Sequence, residues 1–160
     1  MEIHINSAHL PRVFKWCALA ALVIVASRAA TAQQLVSATF LSVSGSDGKD
    51  HDTGVYISVY TAGRAAVLAQ VQNADNCGGA QCTYAAGSQH SINLNIVSRP
   101  PKASCSNFVF VLGSKANGND QWEIQRITIT LKFSDNSTLQ KTVYNVVLNS
   151  RGSKIVSVQY

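Results

Sequence analysis

Three carboxylates, Asp47, Asp50 and Asp52, fall within six residues in the run Asp47-Gly48-Lys49-Asp50-His51-Asp52-Thr53-Gly54, directly ahead of the alternating stretch Val55-Tyr56-Ile57-Ser58-Val59-Tyr60. Hard oxygen donors at that density, on a turn fixed by a neighbouring strand, are what a calcium ion takes. Three like charges so close repel one another unless a cation or water screens them. Lys49 and His51, interleaved with them, supply part of that neutralisation without a metal. The same residues also suit an ordinary solvated turn, since Asp and Gly are preferred there and Asp52-Thr53-Gly54 makes a tight entry into the strand. A second polar loop, Asn117-Gly118-Asn119-Asp120, precedes Trp122 and offers Asn119 and Asp120 as further oxygen donors.

Catalysis has less to work with. Beyond residue 32 the only imidazoles are His51 and His90. A general base at either needs a nucleophile within hydrogen-bond reach and a carboxylate to orient the ring. The chain has many serines but no nucleophile elbow, no HExxH and no phosphate-cradling glycine loop, so it reads as non-enzymatic. Cys77-Gly78-Gly79-Ala80-Gln81-Cys82 closes a short ring whose paired glycines supply backbone freedom, which favours a Cys77–Cys82 disulfide with Cys105 left over. Cys82 with Cys105 is the alternative. Three thiols and two distant histidines do not match a zinc ligand spacing.

The elements that position these residues follow from punctuation and period. Arg12 and Lys15, an apolar run from Trp16 to Ala26 and the small residues Ala30-Thr31-Ala32 have the form of a secretory signal peptide, residues 1–32, cleaved before Gln33. That run is far short of the ~20 residues a membrane span needs, and no window after it is long and apolar enough. Residues 33–160 amount to one domain. They carry ten Lys and Arg against seven Asp and Glu, a net charge of +3. The cations are scattered singly, with no run to track a phosphate backbone, so nucleic acid is not an expected partner. Period-two alternation marks eight strands, over 35–43, 55–60, 66–71, 91–97, 108–112, 124–133, 138–148 and 155–160, with turn clusters between them. Short strands with frequent turns and no helical period predict an all-β, antiparallel β-sandwich. Ile57, Val59, Ile127, Ile129, Leu131 and Phe133 lie on the apolar phase of their strands and are its expected core.

The order of acidic loop, Thr53-Gly54-Val55-Tyr56-Ile57-Ser58-Val59-Tyr60, a Gly/Ser-rich segment ahead of His90-Ser91-Ile92-Asn93-Leu94, and Asn117-Gly118-Asn119-Asp120-Gln121-Trp122 opening a long strand resembles the PLAT (lipoxygenase-homology) domain and related calcium-dependent lipid-binding sandwiches over about residues 35 to 133. The resemblance implies that Asp47, Asp50 and Asp52 converge with Asn119 and Asp120 on a calcium ion. The chain departs from the pattern in its Cys-Gly-Gly segment and in offering one aspartate, not several, in the second loop.

These readings predict a secreted or periplasmic binding module, calcium-assisted, that recognises a lipid headgroup, a glycan or a protein surface. The alternative is a disulfide-stapled effector or inhibitor that contacts protein through the Asn73 to Gly87 loop or one sheet face without metal. Tyr56, Tyr60, Tyr84, Tyr144 and Tyr160 are candidates for an exposed aromatic docking surface. Trp122 reads as a core aromatic, and Asn136-Ser137-Thr138 matches an N-glycosylation acceptor in a turn.

Overall fold

The computed structural model describes residues 33–160 apart from 73, 75, 78, 79, 82, 116–119 and 150–154. The expected signal peptide lies outside the described residues. Gln33–Tyr160 is one compact unit, built from β1 (Leu35–Ser44), β2 (Gly54–Tyr60), β3 (Val67–Val71), β4 (Asn76–Cys77), β5 (Ala80–Gln81), β6 (Gln89–Ile96), β7 (Val109–Lys115), β8 (Gln121–Phe133), β9 (Thr138–Asn149) and β10 (Ile155–Gln159). Two 3-10 turns, Ala62–Arg64 and Lys102–Cys105, are its only helical pieces among the described residues. No described helix is long and apolar enough to cross a membrane.

All the long strands pair antiparallel in one continuous ladder, ordered β10-β7-β2-β3-β6-β1-β8-β9, while β4 and β5 form a separate hairpin. β6 joins the two halves, because Gln89–Leu94 pairs with β1 whereas Asn95 and Ile96 pair with β3. The two edge strands, β9 and β10, come within 8 Å of each other, so the sheet nearly closes on itself.

Alternation decides what the curled sheet encloses. Val55, Ile57 and Val59 of β2 are buried while Tyr56, Ser58 and Tyr60 between them are not, as the pleat requires. Phe40, Phe110, Leu112, Ile127, Ile129, Leu131 and Phe133 share the same core and expose no surface. All six residues expected in the core are there. Full burial of each such side chain contributes roughly 1.5–3 kcal/mol. Period two breaks once in β8: the β1 register shifts between Val43–Arg126 and Ser44–Ile124, leaving Gln125 as a bulge. The buried set therefore runs Trp122 and Ile124 before the bulge and Ile127, Ile129 and Leu131 after it. β9 makes the matching change at Asn145, which takes a positive φ of 55°, an αL conformation that Asn tolerates better than most residues.

Cys105 is a buried free thiol in the second 3-10 turn. Burial pushes its pKa up, which keeps it neutral and weakly nucleophilic. The expected partner pair, Cys77 and Cys82, lies outside what is described, since Cys82 is not among the described residues.

Candidate functional site

The acidic loop is organised around its lysine. Lys49 exposes no surface. Its Nζ donates to the Asp50 carbonyl at 2.9 Å and the Thr53 carbonyl at 3.0 Å, and lies 5.0 Å from the centre of the Tyr84 ring. Its backbone forms a two-way bridge with Tyr84 at 2.9 Å in each direction. Gly48 is required beside this bridge, because a Cβ there would overlap the Tyr84 carbonyl oxygen. The loop thus turns two carbonyl oxygens onto an ammonium of its own, and Lys49 is a buried strut rather than a surface counter-charge.

The two polar loops do meet at one end of the fold. The Thr53 hydroxyl donates to the Asp120 carboxylate, and the Glu123 amide donates to the Asp47 carbonyl at 3.0 Å. The carboxylates themselves do not assemble: Asp47 and Asp50 are exposed, Asp52 is half-buried, and among the described residues no three His, Cys, Asp or Glu side chains group so as to hold a metal. Asn119 lies outside the described residues.

Behind Lys49 sits an aromatic cluster. Tyr84 stacks on His90 with centroids 3.7 Å apart and meets Trp122 edge-on at 5.6 Å. Trp122 donates from Nε1 to Ser44 Oγ at 3.2 Å. Burial first, then the Lys49 charge, lowers the pKa of His90. Ser88 Oγ donates to the Ala85 carbonyl at 2.6 Å and lies 2.9 Å from His90 Nε2. With its hydroxyl hydrogen on the Ala85 carbonyl, Ser88 Oγ can accept from a protonated Nε2.

A different region presents a designed-looking order of side chains, on the outward phase of β6, β1, β8 and β9. Cross-strand pairing sets Gln89, Val43, Arg126 and Tyr144 side by side, then Ser91, Leu41, Thr128 and Thr142. Asn93, Thr39, Thr130 and Gln140 follow, and Ser37, Lys132 and Thr138 complete the last row. None of these residues is buried. Four strands and four rows cover roughly 14 by 20 Å. Hydroxyls and amides dominate: Thr128 and Thr142 hydroxyls bond at 3.1 Å, and Gln140 Nε2 donates to Thr130 Oγ1 at 3.0 Å. The rows hold two cations and no carboxylate.

The first row borders the Gln125 bulge and a cavity of about 290 Å³ lined by Val43, Gln89, Gln125, Arg126 and Tyr144. Across the bulge a second hollow of about 450 Å³ reaches Glu123, Asn145 and Val147. Of the tyrosines singled out in the sequence, Tyr84 is buried at 2% exposure, whereas Tyr144 is 64% exposed. Arg126 and its row are not visible as a unit in the linear sequence. The out-of-phase positions 126, 128, 130 and 132 mark one strand's outer face, but the register that sets β9, β1 and β6 beside it comes only from the fold.

No protein-family model matches this chain, and no curated protein matches it. The PLAT resemblance therefore stands on the loop and strand residues alone.

Proposed function

We propose that the protein is a secreted, non-enzymatic all-β module that binds a carbohydrate polymer through the outward face of β6, β1, β8 and β9, without requiring calcium. The observation that carries this reading is the composition of the four rows: hydroxyl and amide side chains in register across four strands, an exposed tyrosine at one edge, and no carboxylate. Sugar hydroxyls both donate and accept, and a lattice of Thr, Ser, Asn and Gln can answer both roles. The flat face of a sugar ring stacks on an exposed aromatic ring. A lipid surface is supported less well. The exposed large hydrophobics among the described residues are Val36, Val97, Tyr144 and Val147, which is little apolar area to insert. The two cations of the face are few for an anionic membrane.

A calcium-assisted reading draws on the meeting of the two loops at Thr53 and Asp120. Against it, the Lys49 ammonium already occupies the Asp50 and Thr53 carbonyls. The protein-binding alternative would use one sheet face or residues 73–87, of which 73, 75, 78, 79 and 82 lie outside the described residues.

Native affinity electrophoresis through gels carrying soluble neutral or acidic polysaccharides tests the proposal. Retardation by a polysaccharide, weakened by roughly fivefold or more in Tyr144→Ala, is expected, since truncating an aromatic that acts as a binding hot spot costs more than about 1 kcal/mol. Unretarded migration in every gel, or retardation that Tyr144→Ala leaves unchanged, would contradict it.

A further inference from the structure

Resting on the carbohydrate-binding reading, we infer that Arg126 and the cavity beside it form a subsite for the carboxylate of an acidic sugar, so that the preferred polymer is a uronate-type polyanion. Arg126 lines the 290 Å³ cavity, and its Nε, shielded from solvent, has no hydrogen-bond partner among the described residues. A donor out of water and unpaired gains from any acceptor that reaches it, and the guanidinium can turn towards one without breaking an Nε hydrogen bond. No row supplies an internal counter-charge. The carboxylate beyond the bulge, Glu123, accepts instead from the Ser46 hydroxyl and from Gln121 Nε2 at 3.1 Å.

The neighbours of Arg126 complete the fit. Tyr144 is its direct cross-strand partner, so ring and guanidinium stand about 5 Å apart at their Cβ atoms, close enough to hold the face and the carboxylate of one sugar residue together. Gln89 and Gln125 bring amides to the same cavity for hydroxyls. The fork of an arginine matches a carboxylate with two parallel hydrogen bonds, a geometry that a neutral sugar hydroxyl cannot reproduce. Lys132, three rows along, supplies a second cation about 20 Å away, which suits a repeating anion longer than one residue.

The test compares polygalacturonate with its methyl ester, in which a methyl group caps and neutralises each carboxylate, by titration calorimetry of the protein, its Arg126→Gln variant and its Arg126→Lys variant. The expected result is tighter binding of polygalacturonate by about tenfold or more. Arg126→Gln should weaken binding of the acid more than of the ester and so remove that preference, and Arg126→Lys should restore part of it. Equal affinity of the unmodified protein for acid and ester overturns the carboxylate subsite and leaves the face reading standing. An acid preference that survives in a folded Arg126→Gln protein also overturns the subsite. Failure to bind either form overturns the subsite together with the reading beneath it.

Discussion

Replacing Lys49 by Met keeps a long apolar side chain in the buried slot and removes only the ammonium. Two carbonyls then lose a charged donor, at 2.9 Å and 3.0 Å, and the Tyr84 ring loses its cation. These losses are not equal. The Asp50 carbonyl keeps the Thr53 amide at 3.3 Å and belongs to an exposed residue that water can reach. Thr53 is 1% exposed, and its carbonyl is the one left short. An unsatisfied buried group costs roughly 1–3 kcal/mol, and the lost cation–π contact about 0.5–2 kcal/mol. Relief from keeping an ammonium out of water offsets part of this. The net expectation is a destabilisation of about 2 kcal/mol, which lowers Tm by roughly 6 to 10 °C for a domain of this size. Thermal unfolding followed by circular dichroism measures it. A Lys49→Met protein as stable as the parent, or more so, would refute the view that the ammonium holds the loop.

Gly48→Ala should destabilise by about 1–3 kcal/mol, because its methyl meets the Tyr84 backbone rather than a flexible side chain; urea unfolding with an unchanged midpoint would count against that close approach. The lowered pKa of His90 means the folded state binds fewer protons than the unfolded chain below the ordinary histidine value of 6.5. Stability should therefore be full above that pH and decline as the pH falls through it towards the folded value, with a shallower decline in His90→Gln; melts between pH 8 and 5 check the slope. Ile129→Ala opens a fully enclosed site and should cost about 2–5 kcal/mol, read by the same unfolding curves. Millimolar calcium should move Tm by less than about 1 °C, since a ligand adds stability only when its concentration is comparable with or above its Kd for the folded state; a calcium-dependent rise that Asp50→Asn abolishes would restore the metal reading.

Much of the fold is legible in the sequence because each long strand carries its own period of two. Ile127, Ile129 and Leu131 announce their inward phase without help from their neighbours. The bulge at Gln125 is not announced, since an extra residue in one strand shows only against the partner it fails to match. The acidic loop illustrates a different limit. Its spacing displays three carboxylates, yet the residue that organises it is Lys49, whose burial depends on Tyr84 arriving from 35 positions later in the chain. The binding face is the least legible part. Thr, Ser, Gln and Asn on outward positions are what any solvated sheet would carry, and only the register across β6, β1, β8 and β9 turns them into rows with Arg126 and Tyr144 at one end.

Ligand contacts are expected to fall on that face. Amide chemical-shift mapping of the isotope-labelled protein during titration with oligogalacturonate tests it most directly. Perturbations should concentrate at Thr39, Leu41, Ser91, Arg126, Thr128 and Tyr144, in the rows set by cross-strand pairing. Perturbations confined to residues 47–53 and 84–88, or none at saturating ligand, would contradict it.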